Sequence, residues 1–430
     1  MTKVRPVAPG SVRWIARTLE EAGHETWAVG GAVRDALMGR ESVDWDLATK
    51  ATPRQVRRIF RRTVPIGVDH GTVGVLASDG VMYEVTTFRK DVETDGRHAV
   101  VEFADHIEDD LARRDFTINA IAWHPLRDEI FDPFDGAGDL EQGMLRTVGI
   151  AADRFREDYL RILRAVRFAG RFDLRIHEDT WEALVGLTPH LQTLSAERIR
   201  EELTKILAAD ARPRRALDLY RATGIARVLY PEIDGLSEEE WIHTSRVVEA
   251  LPAGRPMLRL AALLRSVEPA AAAATLLRLR LSNAQTDSVA RLSAAPPLPA
   301  ASADEVERRR WLRRCGADIM RGVSRLDMAS ARVRSEVGGP AGVVASWRAI
   351  RATLLSAPPL RVTDLAVGGR DLMRIGVKPG PLLGRTLEGL LDWVLEDPDR
   401  NEFDLLLDRV REVLERSAAE AVEPFEDEGL

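Results

Sequence analysis

Cysteine is all but missing: Cys315 is the only one in 430 residues. Internal disulfides and cysteine-ligated metal clusters are thereby excluded, which suits a reducing cytoplasm. Lysine is also scarce, with Lys3, Lys50, Lys90, Lys205 and Lys378 the full set. Arginine carries the positive charge instead. A GC-rich genome accounts for most of that bias, yet arginine is also the better residue for bidentate phosphate contacts. The longest apolar run, around Ala270–Leu277, falls short of the ~20 residues a membrane helix needs, so no membrane partner is expected. Met1–Ser11 has no apolar core, and no signal peptide is expected. A net charge of -7 argues against a general nucleic-acid binder, so any RNA must meet local basic patches. Two familiar phosphate sites, G-x-x-x-x-G-K-[ST] and G-x-G-x-x-G, are absent from the region of interest below.

What is present is a compact set of residues near the N-terminus. Trp27-Ala28-Val29 reads as a strand end and Ala32–Met38 as a helix. Gly30 and Gly31 between them allow a sharp turn and a close backbone approach to a ligand. The amides that open the following helix would face an anion. Arg34 adds a fixed cation for phosphates. In a strand, Asp44 and Asp46 would point the same way and Trp45 into the core. Two carboxylates on one face can hold Mg²⁺, which takes oxygen ligands and shares substrate phosphates.

The length predicts two or more domains. A first helix is expected over Ser11–Gly23, apolar at Val12, Ile15, Ala16 and Leu19. Thr52-Pro53 is an N-cap and first-turn pair for a helix reaching about Phe60. Val73–Ala77 and Val81–Thr87 read as strands around the turn Ser78-Asp79-Gly80. Asp91–Ala99 reads as a mobile polar loop, and Asp132–Gly136 as a turn that ends a domain. From about Gly143 onward helical periodicity dominates, and the acidic end Ala418–Leu430 is expected to fray. The outline is α+β: a small mixed head and a long all-α body.

Three further groups carry chemistry. Glu84 shares a strand face with Met82 and Thr86; it either completes a carboxylate cluster with Asp44 and Asp46 or pairs with an arginine such as Arg89. Arg113 and Arg114, with Asn119 nearby, could neutralise charge on transferring phosphates, or form a solvated pair beside Glu108–Asp110. Asp158, Arg161 and Arg164 are three apart, which predicts one shared helix face, and Arg167 continues the spacing. That face is either a salt-bridged surface or a base reader. Asp accepts hydrogen bonds and Arg donates them. Cytosine and adenine both offer an amine and a ring-nitrogen acceptor, whereas uracil and guanine offer a carbonyl in the amine's place. An Asp/Arg pair would accept the first two bases and reject the others.

These motifs together resemble the bacterial class II tRNA nucleotidyltransferases, the CCA-adding enzyme family that also contains bacterial poly(A) polymerases. Gly30–Asp35 with Asp44 and Asp46 matches G-G-x-V-R-D with D-x-D, and Arg113–Ala120 matches R-R-D-F-T-x-N-A. Asp132–Leu140 matches D-P-F-x-G-x-x-D-L, and Glu157–Arg161 matches the nucleotide-selecting E-D-x-x-R, followed by arginines through Phe168. Ser195–Glu202 resembles the next neck helix, and Gly369–Met373 with Gly376–Pro381 the tail.

The resemblance implies a polymerase-β-like nucleotidyltransferase head over 1–142. A helical neck over 143–205, a body over 206–355 and a tRNA-gripping tail over 356–430 would follow. It implies addition of C, C and A to the tRNA 3′ end from CTP and ATP, with two Mg²⁺ on Asp44 and Asp46. Gly31, Arg34 and Arg114 would bind the triphosphate, and Gly30, Arg113 and Asn119 would also belong to the nucleotide site. Asp158 and Arg161 would select the base, supported by Arg164 and Arg167. The alternatives are an A-adding enzyme, a poly(A) polymerase, or an RNA-binding protein with a silent head.

Two departures stand out. Arg265-Ser266 occupies the place of the His-Asp pair that some relatives use in a phosphohydrolase domain. The loop Arg89–Phe103 keeps Asp95-Gly96-Arg97 but has His98-Ala99 where the family often has Arg-Pro.

Overall fold

The computed structural model describes residues 5–67, 71–94, 99–208, 212–334 and 339–420. Asp95–His98 and the acidic end from 421 lie outside them. The chain divides into two compact units, one of Met1–Leu236 with Ala274–Arg280 and one of Ser237–Ala273 with Leu281–Leu430.

The first unit begins with helix α1 (Gly10–Glu21), which buries Val12, Ile15, Ala16 and Leu19, the predicted stripe. Strand β1 (Thr26–Val29), helix α2 (Gly31–Leu37), strand β2 (Asp46–Thr49) and helix α3 (Pro53–Ile59) follow. Thr52 caps α3 in a reciprocal box with Gln55. Next come β3 (Thr63–Gly67), β4 (Thr72–Leu76), β5 (Met82–Thr87), β6 (Arg89–Thr94) and β7 (Ala99–Phe103). Helix α4 (Ile107–Ala112) and strands β8 (Ala122–His124) and β9 (Glu129–Phe131) complete the sheet region. Seven strands join in the order β3-β4-β5-β2-β1-β8-β9. The β2–β5 pair is parallel, and the others are antiparallel.

One sheet face is closed by α1, α2 and α3, whose Ile15, Leu19, Val33 and Val56 pack with Leu47, Val75, Val85 and Trp123. Trp45 is buried in this layer, 5.8 Å from Trp123. The other face is covered only in part, by Ile107 and Leu111 of α4 against Trp27, Val29 and Ala48. Glu84 stays exposed on that second face. The predicted loop over Asp91–Ala99 needs correction. Strands β6 and β7 pair antiparallel from Arg89↔Phe103 to Thr94↔Ala99, so both flanks are ladder rather than free chain. The β-branched run Val100-Val101 supplies the strand propensity that the polar residues hid.

Beyond the sheet, α5 (Gly136–Glu141) leads to β10 (Met144–Leu145), α6 (Ala151–Glu157) and α7 (Leu160–Phe172). Strand β11 (Arg175–Ile176) returns parallel to β10. Helices α8 (Glu178–Leu187), α9 (Ala196–Ala208) and α10 (Pro213–Ala222) follow.

The second unit is helical among the described residues. Its C-terminal helices Pro381–Glu396 and Phe403–Glu420 close a leucine–valine core with Leu372, Leu390, Val394 and Leu406. In the helix Glu238–Ala250, His243 contacts Ser330 at 3.2 Å, while Arg265 forms an ion pair with Asp327 at 2.9 Å. A guanidinium and one hydroxyl-bearing side chain, Arg265 and Ser266, thus stand where His-Asp would. No helix among the described residues is long and apolar enough to cross a membrane.

Candidate active site

A cleft of about 530 Å³ opens in the first unit, between the partly covered sheet face and α7. Strand register builds one wall. Val29 pairs with Asp46, so the carboxylate lies beside the turn that leaves β1. Leu47 pairs with Val85, which brings Asp46 level with Glu84 on one face. Asp44 lies just ahead of β2 and is exposed, whereas Trp45 between them is buried.

The three carboxylates act on one another. Burial, then the charges of Asp44 and Glu84, push the Asp46 carboxyl up to about 6, with Arg114 pulling it down. Neither Asp44 nor Glu84 makes an ion pair among the described residues. The alternative of a Glu84–Arg89 ion pair is therefore not what forms. No three His, Cys, Asp or Glu side chains among the described residues close a cage on one ion. Asp46 and Glu84 on the cleft wall, with exposed Asp44 just ahead of β2, offer oxygen donors that suit a hard divalent cation sharing its ligands with a substrate.

Gly30 has φ +77°, a conformation other residues rarely adopt. A Cβ there would sit 3.1 Å from Arg114 Nη1 and 3.6 Å from Asp46 Oδ2. Glycine is needed because backbone, guanidinium and carboxylate converge at this turn. We expect Gly30→Ala to cost about 1–3 kcal/mol through backbone strain; an unchanged urea-unfolding midpoint would refute this. Helix α2 is only seven residues long. Side-chain guanidiniums therefore carry more of the positive charge at the turn than the helix amides do.

Those guanidiniums are held by buried carboxylates. Asp110, 1% exposed, accepts from Arg113 Nη2 at 2.9 Å and Arg114 Nη2 at 3.0 Å. Burial raises the Asp110 carboxyl, but the two arginines outweigh it and leave it below the usual range. Arg114 also donates to the Asn119 carbonyl at 3.3 Å. Arg34 is buried; it donates to Asn119 Oδ1 at 2.6 Å and to Asp35, and lies 4.3 Å from the Phe172 ring centroid. Asp115 accepts from Arg164 Nε at 2.7 Å and Asn119 Nδ2 at 3.0 Å. Burial works against the Asp115 charge, yet Arg164 and Asn119 hold its carboxyl below the ordinary value. Arg167 donates to buried Glu202 at 2.6 Å.

All the predicted site residues line this cleft except Asp44 and Asp158. The expectation that Asp158, Arg161 and Arg164 share a helix face needs correction. Asp158 has φ -157° and ψ 105°, and it breaks the chain between α6 and α7. Its Oδ1 accepts from the Leu160 amide at 3.0 Å, and its Oδ2 from Arg198 Nη2 at 2.7 Å. A residue that bonds the amide two positions on competes with the helix, which is why Asp favours such breaks. Arg161 instead takes Glu157 at 2.5 Å and the Arg113 carbonyl at 3.3 Å.

Asp110, Asp115, Arg198 and Arg171 were not predicted as site residues. Arg171 extends the arginine spacing of α7 and was legible from it. For the others, only the fold shows which arginine each acid holds.

Comparison with known proteins places this geometry. The family description "Poly A polymerase head domain" matches residues 26–146, and "Probable RNA and SrmB-binding site of polymerase A" matches 173–236. A CCA-adding enzyme of Lactobacillus delbrueckii subsp. bulgaricus is 34% identical over 90% of this chain and 93% of its own. Another, from Geobacillus kaustophilus, is 35% identical over 90% of this chain and 93% of its own. The crystal structure of the Bacillus stearothermophilus CCA-adding enzyme in complex with CTP superposes with a TM-score of 0.72. That match has 31% identity and covers 95% of this chain and 100% of that one. On sequence, fold and the shared cleft, this chain belongs to the CCA-adding enzyme family.

Proposed function

We propose that the cleft adds C, C and A to the 3′ end of tRNA from CTP and ATP by two-metal nucleotidyl transfer. The observation that carries this reading is one cleft with uncompensated carboxylates on one wall and buffered arginines on the other. A relative of known structure binds CTP. Asp44 and Asp46 would hold two Mg²⁺, which supply Lewis-acid stabilisation of the attacking and leaving oxygens. Glu84 stands beside Asp46, where it can accept a hydrogen bond from the RNA 3′-hydroxyl and orient it. A cytoplasmic location fits the single cysteine.

The protein's own contribution is positioning. Arg114, fixed by Asp110 beside the Gly30 turn, meets the triphosphate without rearranging. Such preorganised charge costs little when the transition state forms. Arg34, Arg113 and Asn119 hold that wall in register. Asp158 and Arg161 select the base. Asp158 is an acceptor only and takes the exocyclic amine of cytosine or adenine, while Arg161 donates to the ring nitrogen. Their present partners are Arg198, which donates to Asp158, and Glu157, which accepts from Arg161. Arg164 and Arg167 anchor α7 to Asp115 and Glu202 beneath the pocket.

The test is extension of tRNA transcripts ending before CCA, after C and after CC, with each nucleotide and Mg²⁺. Stepwise C, C, A and arrest is expected. Extension of the CC-ended tRNA alone would mean an A-adding enzyme, and endless A addition a poly(A) polymerase. In the same assay Arg161→Ala should lose ~10-fold or more of its preference for CTP over UTP, the scale of one to two hydrogen bonds. Undiminished preference would remove Arg161 from the selection step.

A further inference from the structure

A second cavity, about 410 Å³, lies next to the cleft on the far side of Arg167 and Arg171. Its walls carry Arg40, Arg167, Arg171, Lys205 and Arg212. They come from four places in the first unit: the end of α2, the last turns of α7, the end of α9 and the start of α10. Gly170 allows the close approach of α7 and α10, since a Cβ there would sit 2.6 Å from Ala216 Cβ.

The charges here differ from those in the cleft. There, Arg34, Arg113, Arg114, Arg161, Arg164 and Arg167 each hold a carboxylate. In this cavity Arg40 and Arg171 hold none among the described residues. Both instead lie against one ring, Phe172, at 5.1 and 5.2 Å from its centroid, with Arg34 on it at 4.3 Å. Among the described residues, the nearby carboxylates are already engaged. Glu202 serves Arg167 and Lys205, Asp173 serves Arg212 and Arg215, and Asp35 serves Arg34. Three guanidiniums around one ring repel one another; burial lowers the Arg34 pKa most, and the charge of Arg171 adds to that against the pull of Asp35. Cation–π attraction offsets only a part of the repulsion. Helix α10, ten residues long, also points an N-terminus at this cavity with no side chain capping it. In a chain of net charge -7, such a local surplus of cations calls for an anion.

We infer that this cavity is a second phosphate subsite, separate from the place of the incoming nucleotide. The inference rests on the nucleotidyl-transfer reading for the source of the phosphate, which is either the RNA backbone or released pyrophosphate. Arginine forks and an open helix N-terminus recognise both through the same phosphate oxygens. The volume admits one or two phosphate groups, and the cavity shares Arg167 and Arg171 with the cleft.

The test uses the full-length chain and equilibrium binding without turnover, so its outcome is independent of whether the cleft extends RNA. Arg40 and Arg212 are exposed, so Arg40→Ser with Arg212→Ser should leave the fold intact; Arg40→Ser alone serves if the double variant is unstable. One arm measures binding of a fluorescent tRNA transcript lacking CCA from 50 to 200 mM salt, and the other binding of labelled pyrophosphate. If the RNA backbone fills the site, the tRNA Kd rises ~10-fold at low salt. The slope of log Kd against log salt then falls by about one to two. If pyrophosphate fills it, pyrophosphate binding weakens ~10-fold and the RNA slope stays. Unchanged binding in both arms would overturn the subsite.

Discussion

Asp46→Asn is expected to abolish nucleotide addition and, in metal-free buffer, to make the protein more stable. Loss of a metal ligand removes several kcal/mol of transition-state stabilisation, so a fall of at least ~10³-fold in kcat is expected. The stability gain follows from the sign of the pKa shift. Asp46 titrates at about 6 in the folded chain against 3.8 as its ordinary value. A carboxyl raised on folding binds its proton more tightly when native. Its ionised form therefore destabilises the fold as pH rises from about 4 through 6, and the cost is complete above that. Asparagine carries no charge and escapes it. The gain should be on the order of 2 kcal/mol at pH 7.5 in EDTA, and should vanish near pH 4. Urea unfolding of both proteins at the two pH values decides it. Equal stability at pH 7.5 would show that neither burial nor the charges of Asp44 and Glu84 strain Asp46. Near-normal extension of tRNA would remove Asp46 from the metal site.

The second large effect lies at a residue that touches no substrate. Asp110→Asn should cost roughly 3–5 kcal/mol of stability, because it leaves Arg113 and Arg114 without the buried charge that holds them. The folded Asp110 carboxyl sits below its ordinary value, as do those of Asp115 and Glu202. Their contribution is thus present above about pH 4 and is lost as pH falls through the folded values. Wild type should lose stability steeply on acidification, and Asp110→Asn less steeply, since one of the three is already gone. Arg114 would also be freed beside Gly30, raising KM for nucleotide ~10-fold or more with a smaller fall in kcat. An acid-unfolding slope identical to wild type would exclude Asp110 as the organising charge. Unchanged KM would mean that Arg114 is held by the Asn119 carbonyl alone.

Much of the head was legible in advance. The stripe Val12, Ile15, Ala16 and Leu19 predicts α1 because burial follows the 3.6-residue period. Thr52-Pro53 predicts the start of α3 because an uncapped amide needs an acceptor. Glu84 on the face of Met82 and Thr86 follows from strand alternation, and the exposure pattern of β5 agrees. The hairpin of β6 and β7 was misread because polar residues masked a short β-branched run. The Asp158 face was misread because spacing of three implies a shared face only where the helix is continuous.

Local rules with short range therefore reached as far as the turn at Gly30, the D-x-D pair, the arginine series of α7 and the family they resemble. Those features depend on neighbours a few residues apart, whose geometry is the same wherever the segment lies. Which charge meets which was decided by tertiary structure alone. Asp115 finds Arg164 across 49 residues, Asp158 finds Arg198 across 40, and Arg34 finds Asn119 across 85. An ion pair is specified by position in space, and in an arginine-rich chain nothing in the spacing singles out one donor from the rest. Arg40 and Arg171 around Phe172 belong to the same class: that neither holds a carboxylate among the described residues is visible only in three dimensions.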